Sequence, residues 1–280
     1  MDTLKRILEG TNRIGLWLLF WVIVGTVGYA IYKGAYPETP ARVPYVARID
    51  ITGDVIPGLT DFLKPRVEEA YNDPNAKAVV FHIDSTGGAL SEAWRFCVYL
   101  ESVKAKEKAR AEASGQEPRL TYTTVGYFGT SAAFYIALCA GNVHAAPASH
   151  VGSIGSMMTY DEAEMKKVKY IASGTGKVLD YTNKEGRALA QELVNEVATE
   201  FLSYVMGYRE GKLKMKHSEL ASGRMWTGKR AYDLGLIDGL STPEGVADHL
   251  KLPLLFTGYV EPTFWEKFKD ALSVLRPLPK

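Results

Sequence analysis

The sequence predicts an α/β fold in which a largely parallel sheet is covered by helices. Two observations carry the prediction. Short apolar runs that suit buried strands, Tyr45–Ile51 and Ala78–Ile83, alternate with segments of helical spacing, 60–72 and 90–103. A third strand-like run, Leu120–Val125, is followed by the small apolar helical stretch Ala132–Ala140. Such a βαβα order places successive strands side by side in parallel, with crossover helices on the faces.

The elements follow in order. Helical spacing in the first crossover is carried by Phe62, Leu63, Val67 and Ala70, and Leu90–Val103 reads as an amphipathic helix. Residues 104–119 are charge-rich and broken at Ser114-Gly115, so they read as a solvated helix extension and loop. Gly126-Tyr127-Phe128-Gly129 reads as a turn after the third strand, and 168–172 as a further strand-like run. Residues 185–208 carry a long helical pattern, and 225–238 a short helix ending in Leu236-Ile237-Asp238. No internal repeat is present.

Ahead of this lies a different composition. Residues 14–32 are 19 consecutive uncharged positions bracketed by Arg13 and Lys33. At about 1.5 Å per residue the run is long enough for a bilayer core of roughly 30 Å. Its length and the lack of an A-x-A site favour a retained anchor over a cleaved signal peptide. The expected organisation is a tail at 1–13, a transmembrane helix at 14–32, a proline-containing linker at 33–44, a catalytic domain at 45–250 and an amphipathic tail at 251–280. In the tail, Phe264, Trp265, Phe268, Leu272 and Leu275 share helical spacing, which suits packing on protein. A net charge of +1 with no basic block argues against nucleic acid as a partner. Cys97 and Cys139 have no metal-type spacing and read as buried free thiols, and no metal or cofactor is expected.

Ser131 is the candidate nucleophile. It stands on a strand-to-helix corner, where a hydroxyl is exposed and the helix N-terminus behind it supplies unpaired N–H groups for an oxyanion. A serine needs a base. Among the five histidines, His82 and Asp84 share one side of a strand, but they sit in a buried-strand pattern where a core role is expected; a Ser-His-Asp arrangement stays open without further support. Lys177, after Ser173-Gly174-Thr175-Gly176, is the other candidate, provided burial keeps its amine neutral. A phosphate-binding loop does not fit there, because Ile171 and Val178 stand where glycine and Ser/Thr are required. Asp84-Ser85-Thr86-Gly87-Gly88 ends a strand, and its paired glycines can offer backbone N–H groups.

Taken together, the Asp84–Gly88 turn, Gly129-Thr130-Ser131-Ala132-Ala133, Gly152-Ser153-Ile154-Gly155, Ser173-Gly174-x-x-Lys177 and Gly223-Arg224 leading to Leu236-Ile237-Asp238 resemble the signal peptide peptidase A family of Ser-Lys proteases. The resemblance covers about residues 45–250. It implies a Clp protease/crotonase-like spiral of repeated β-β-α units, with Ser131 as nucleophile and Lys177 as base. It further implies that Ser153 orients the lysine and that the N–H groups of Gly88 and Ala132 form the oxyanion hole. Signal peptides or other apolar peptides would be the substrates. A homo-oligomeric ring or dome is implied, in which a neighbour can supply the lysine. The uncharged run 14–32 and the short basic tail ahead of it give the expected location: single-pass in a bacterial inner-membrane-like setting, with the domain outside the cytoplasm. The family often has Ser-Gly-Gly-Tyr after its nucleophile, where this chain has Ser131-Ala132-Ala133-Phe134, closer to the phage prohead-protease branch. Its oxyanion turn more often reads Ser-Pro-Gly-Gly, here Ser85-Thr86-Gly87-Gly88. Two other readings share the fold: a crotonase-type acyl-CoA enzyme and an inactive membrane scaffold.

Overall fold

The computed structural model describes residues 43–167, 169 and 171–257, together with 21, 22, 24 and 25. Residues up to 43 and residues from 44 onward form separate compact units. Of the expected span 14–32, only Trp21, Val22, Val24 and Gly25 are described, and they are helical; the rest lies outside the described residues, as does the stripe of 262–275. Among the described residues no helix is long and apolar enough to cross a membrane.

The second unit is built on one eight-stranded sheet. Its elements are β1 (Tyr45–Thr52), α1 (Leu59–Asn72), β2 (Ala76–Ser85), α2 (Leu90–Ser114), β3 (Leu120–Thr130), α3 (Ala132–Ala140), β4 (Asn142–Ala145) and β5 (His150–Gly152). After these come α4 (Glu162–Met165), a single 3₁₀ turn (Thr175–Lys177), α5 (Lys184–Tyr208) and α6 (His217–Leu220). The chain closes with β6 (Met225–Thr227), α7 (Gly228–Asp233), β7 (Gly239–Leu240), α8 (Pro243–Leu250) and β8 (Leu254–Phe256). The strands lie in the order β6-β5-β3-β2-β1-β8, and β4 pairs with both β3 and β7. All the pairings are parallel except β5 with β6.

The apolar alternation of β1 and β2 explains the layers. Ala47, Ile49 and Ile51 join Val79, Phe81 and Ile83 in the main core, together with Phe96 of α2, Phe134 and Ile136 of α3 and Phe201 of α5. Val46, Ala78 and Val80 face the other way and meet Val246 and Ala247 of α8. All nine residues of α3 are buried, as expected of a helix that is apolar all round.

Two expectations change here. Gly126–Gly129 is not a turn: β3 runs on to Thr130 by exchanging partners. Tyr122–Val125 pair with β4, whereas Phe128–Thr130 pair with β5. On its other side the register with β2 slips between Ile83 and Ser85. The glycines mark a bulge in a continuing strand, fixed where the Phe128 N–H donates to Asp84 Oδ1 at 3.0 Å. Second, Cys97 and Cys139 are not free thiols but form a disulfide. The helical surroundings expected for both are present, and the packing of α2 on α3 brings their Cα atoms to 5.7 Å.

The charge-rich 104–119 stretch is the expected helix extension and loop, broken at Ser114-Gly115. α2 continues to Ser114 and stops where Gly115 turns left-handed at φ 66°, its N–H reaching the Ala111 and Glu112 carbonyls.

Candidate active site

The site forms where β3 ends and α3 begins. Ser131 occupies φ 54°, ψ −130°, a region that L-residues with a Cβ rarely adopt. Its neighbours enforce this geometry. The Ser131 N–H donates to Gly152 O at 2.8 Å, and its own carbonyl accepts from the N–H groups of Phe134 and Tyr135, starting the helix. The chain therefore turns sharply between two fixed points and leaves the hydroxyl at the corner, half-buried.

A second strained residue lies beside it. Ser153 has φ 52°, and among the described residues only Ser131, Ser153 and Lys251 combine a side chain with positive φ. The cause is again local. The Ser153 N–H is held by the Arg224 carbonyl at 2.9 Å. The preceding Gly152, at φ 101°, lies so close to Trp226 that a Cβ there would come within 2.6 Å of the indole. Gly223-Arg224, part of the sequence pattern, thus acts by supporting Ser153.

The third component is the β2–α2 turn. Gly87 and Gly88 have φ 109° and 145°, and a Cβ on Gly87 would lie 2.7 Å from Ser131 Cβ and 3.0 Å from Ala132 N. Glycine is required at 87 because the turn packs directly onto the nucleophile's corner. Gly88 is exposed, and Ala132 is the first residue of α3, whose leading N–H groups have no intrahelical acceptor. Ser131, Gly88 and Ser153 line one cleft of about 590 Å³, along with Asp54, Leu90, Met157 and Val197. Among the described residues neither serine hydroxyl has a hydrogen-bond partner.

Lys177 is not brought to this cleft. It ends the exposed 3₁₀ turn, its N–H bonded to Gly174 O at 3.1 Å. The strand expected at 168–172 is absent among its described residues: 169, 171 and 172 lie outside any strand, and Ile171 is fully exposed. A buried lysine does exist, but elsewhere. Burial pulls the Lys104 ammonium down to about 8. It sits at the far end of α3, donating to the carbonyls of Cys139 and Ala140. His82 and Asp84 are likewise engaged away from the serine. His82 Nδ1 pairs with Thr124 Oγ1 at 3.0 Å, and Asp84 holds the β3 bulge. Leu90, Met157, Val197 and Asp54 escaped the sequence reading, since nothing in their spacing relates them to residue 131. Among the described residues no cluster of side chains suits a metal ion.

A strained serine at a strand-to-helix corner, facing a glycine turn and a helix N-terminus, is the arrangement of a serine hydrolase on a parallel α/β sheet. The particular family follows from comparison. Residues 120–254 match the model of Peptidase family S49, so this part of the chain resembles a domain of that family of serine-type peptidases. The matched residues include Ser131, Ser153 and Lys177, while Gly88 precedes them. The chain is 29% identical to "Putative protease slr0021" of Synechocystis sp. over 213 residues, covering 71% of this chain and 70% of that protein. It is 24% identical to Protease 4 of Salmonella typhi over 247 residues, 81% of this chain but 38% of the relative. Among solved structures it is similar to a mutant of the 1510-N membrane-bound stomatin-specific protease, with a TM-score of 0.49 and 13% identity, over 77% of this chain and 98% of the other.

Proposed function

We propose that this chain is a membrane-anchored serine endopeptidase that cleaves signal peptides or other apolar peptides with Ser131 and Lys177. The observation that carries the reading is the strained Ser131, set against Gly87 and facing the same cleft as Gly88 and Ser153. Leu90, Met157 and Val197 give that cleft apolar walls suited to apolar side chains.

In the proposed reaction Ser131 Oγ attacks the scissile carbonyl carbon and its proton passes to Lys177 Nζ. The N–H groups of Gly88 and Ala132 receive the oxyanion. Collapse breaks the C–N bond and expels the amine, which takes the proton from Lys177; the neutral lysine then activates a water that hydrolyses the acyl-enzyme and returns the proton to Ser131. Ser153 orients the lysine. For Lys177 to accept a proton it must leave solvent, and it is exposed in the single chain. The reading therefore includes a homo-oligomer, a ring or dome in the Clp protease/crotonase manner, in which the lysine segment is covered and a neighbour's Lys177 can serve the cleft. The reading takes the uncharged run 14–32 as the anchor, in a bacterial inner-membrane-like setting. The Cys97–Cys139 disulfide supports placing the domain on the extracytoplasmic side, since such bonds persist in oxidising compartments.

The exposed Lys177 is also the observation that favours the alternative, a catalytically silent scaffold of the same fold. One experiment separates them. Cleavage of a quenched apolar peptide by the full-length protein in detergent is compared with Ser131→Ala and Lys177→Ala. Loss in both variants, with folding and assembly unchanged, supports the dyad; an inert wild type, or full activity in both variants, ends it.

A further inference from the structure

The proposed oxyanion donors come from two separate parts of the chain, Gly88 on the β2–α2 turn and Ala132 at the head of α3. Their joint geometry depends on how the turn is tied to the corner. Close packing of Gly87 against Ser131 sets the spacing, but contact alone leaves the peptide planes free to rotate. Hydrogen bonds fix them. The Val55 N–H donates to Gly87 O at 2.8 Å. In a planar trans peptide the carbonyl and the next N–H point in opposite directions, so this bond turns the Gly88 N–H away from Val55.

The preceding peptide is held from the other side. Thr130 Oγ1 donates to Thr86 O at 3.0 Å, and the Gly87 N–H on the same peptide plane donates to Ser85 Oγ at 3.1 Å. Two successive carbonyls are thus pinned by different partners and the Gly87 N–H is occupied. Gly88, with φ 145° and an exposed backbone, is left to present its N–H. Thr130 is only 2% exposed, so its hydroxyl has no ready access to water. Among the described residues it makes the one side-chain hydrogen bond that joins the Ser85–Gly88 turn to the Thr130–Ala132 corner.

We propose that Thr130 is a positioning residue, whose hydroxyl ties the oxyanion turn to the strand carrying the nucleophile and so aligns the Gly88 N–H with Ser131. The inference rests on Ser131 being the nucleophile, as proposed above. Its effect is indirect, since Thr130 touches no substrate. Losing the tie lets the donor drift while the peptide-binding walls stay in place, so turnover falls and substrate affinity does not.

The test measures kcat, KM and Tm for quenched-peptide cleavage by full-length wild type, Thr130→Val, Thr130→Ser and Ser131→Ala. Valine keeps the shape and removes the donor. The expected result is a kcat roughly tenfold to a hundredfold lower in Thr130→Val, with KM and Tm near wild type, and recovery in Thr130→Ser. Should the valine variant fail to fold, Thr130→Ala replaces it. A valine variant with undiminished kcat, alongside an inert Ser131→Ala, overturns the positioning role and leaves the nucleophile standing. A kcat that falls in step with Tm in both valine and serine variants makes Thr130 merely structural and also overturns it. An inert wild type, or a fully active Ser131→Ala, removes the nucleophile reading and this inference with it.

Discussion

Two regions of this protein stand in contrast: the sheet-borne corner that holds Ser131, and the segment 156–183 that carries Lys177. At the corner every backbone direction has a stated cause, from the Gly152 carbonyl on Ser131 to the Arg224 carbonyl on Ser153. The helix behind it is buried on all sides. Among its described residues the lysine segment has only the four-residue α4 and one 3₁₀ turn, and it exposes Met157, Met158, Tyr160 and Ile171. Its contacts include the stacking of Tyr160 on Tyr181 at 4.6 Å within the segment and ties to α5, where Arg187 Nη1 donates to the Tyr181 carbonyl at 2.8 Å. The difference teaches how unequally one chain specifies the two halves of the proposed site. Burial within the chain fixes the corner that carries Ser131, whereas the segment around Lys177 keeps its apolar side chains exposed, as the surface to be covered in the proposed assembly.

The largest effect tests whether both regions serve one reaction. Ser131→Ala and Lys177→Ala should each lower peptide cleavage by about a thousandfold or more, with Tm unchanged in both. Mixing the two inactive variants then sharpens the contrast. Recovered turnover is the expected outcome, because Lys177 lies outside its own chain's cleft; persistent inactivity would place the lysine in cis.

Next comes the corner's covalent support. The Cys97–Cys139 bond closes a span of 42 residues and fastens α2 to the helix behind Ser131. Replacing both cysteines with serine should cost about 4 kcal/mol by loop-closure entropy, read from urea unfolding. An unchanged midpoint would mean that the bond does not hold the native domain together.

A somewhat smaller loss is expected at Asp238. Arg209, 3% exposed, donates to both carboxylate oxygens, Lys212 joins it, and Asp238 Oδ2 accepts the Val143 N–H at 2.9 Å. Asp238→Asn leaves the guanidinium buried without its counter-charge and should cost about 3 kcal/mol in denaturant titration. This assigns the Leu236-Ile237-Asp238 part of the sequence pattern to structure, as a tie between the end of α5 and β4.

Acid should weaken the same framework. Burial, and for His82 also the charge of Arg48, lowers the proton affinity of His82 and His144 in the fold. Their folded values lie below the unfolded one near 6.5. The stability they contribute is therefore complete above about 6.5 and is lost as pH falls through the lowered values. Asp238 acts in the same direction further down. Burial opposes its charge, but Lys212, the Val143 N–H and Arg209 outweigh it and hold the carboxyl below its ordinary 3.8. Tm should decline as pH falls below about 6.5, and His82→Gln should flatten the upper part of that decline.

The contrast also explains what was legible in the sequence. β1, β2, α1, α3 and α5 announce themselves through apolar periodicity, because each owes its form to burial against the same sheet. Ser131 was legible from its strand-to-helix corner and Gly88 from its paired glycines, whereas Ser153 came only with the family resemblance. The continuation of β3 through Gly126–Gly129 was not, since it depends on the exchange of β4 for β5 as partner, a non-local event. The disulfide was hidden for the same reason: helical surroundings predict burial, and only the packing of α2 on α3 makes the two thiols neighbours. Thr130 looked like any β-branched strand residue, because its acceptor is 44 positions away in the chain. Lys177 stood out by its setting after Ser173-Gly174, yet no local pattern could say where its amine would go.

The smallest effect is the one that can collapse the contrast. Ile171 is fully exposed, so within one chain it has no burial to lose. Ile171→Ser should therefore change the unfolding free energy of the isolated domain by no more than about 0.5 kcal/mol. In the assembly proposed for this protein the same side chain belongs to a surface that must be covered if Lys177 is to lose its water. The variant should then lower the mass seen by light scattering and reduce peptide turnover together, with the domain's own stability intact. If instead the substitution destabilises the monomer by kilocalories, the segment packs on its own chain, the lysine is specified in cis, and the two regions are one.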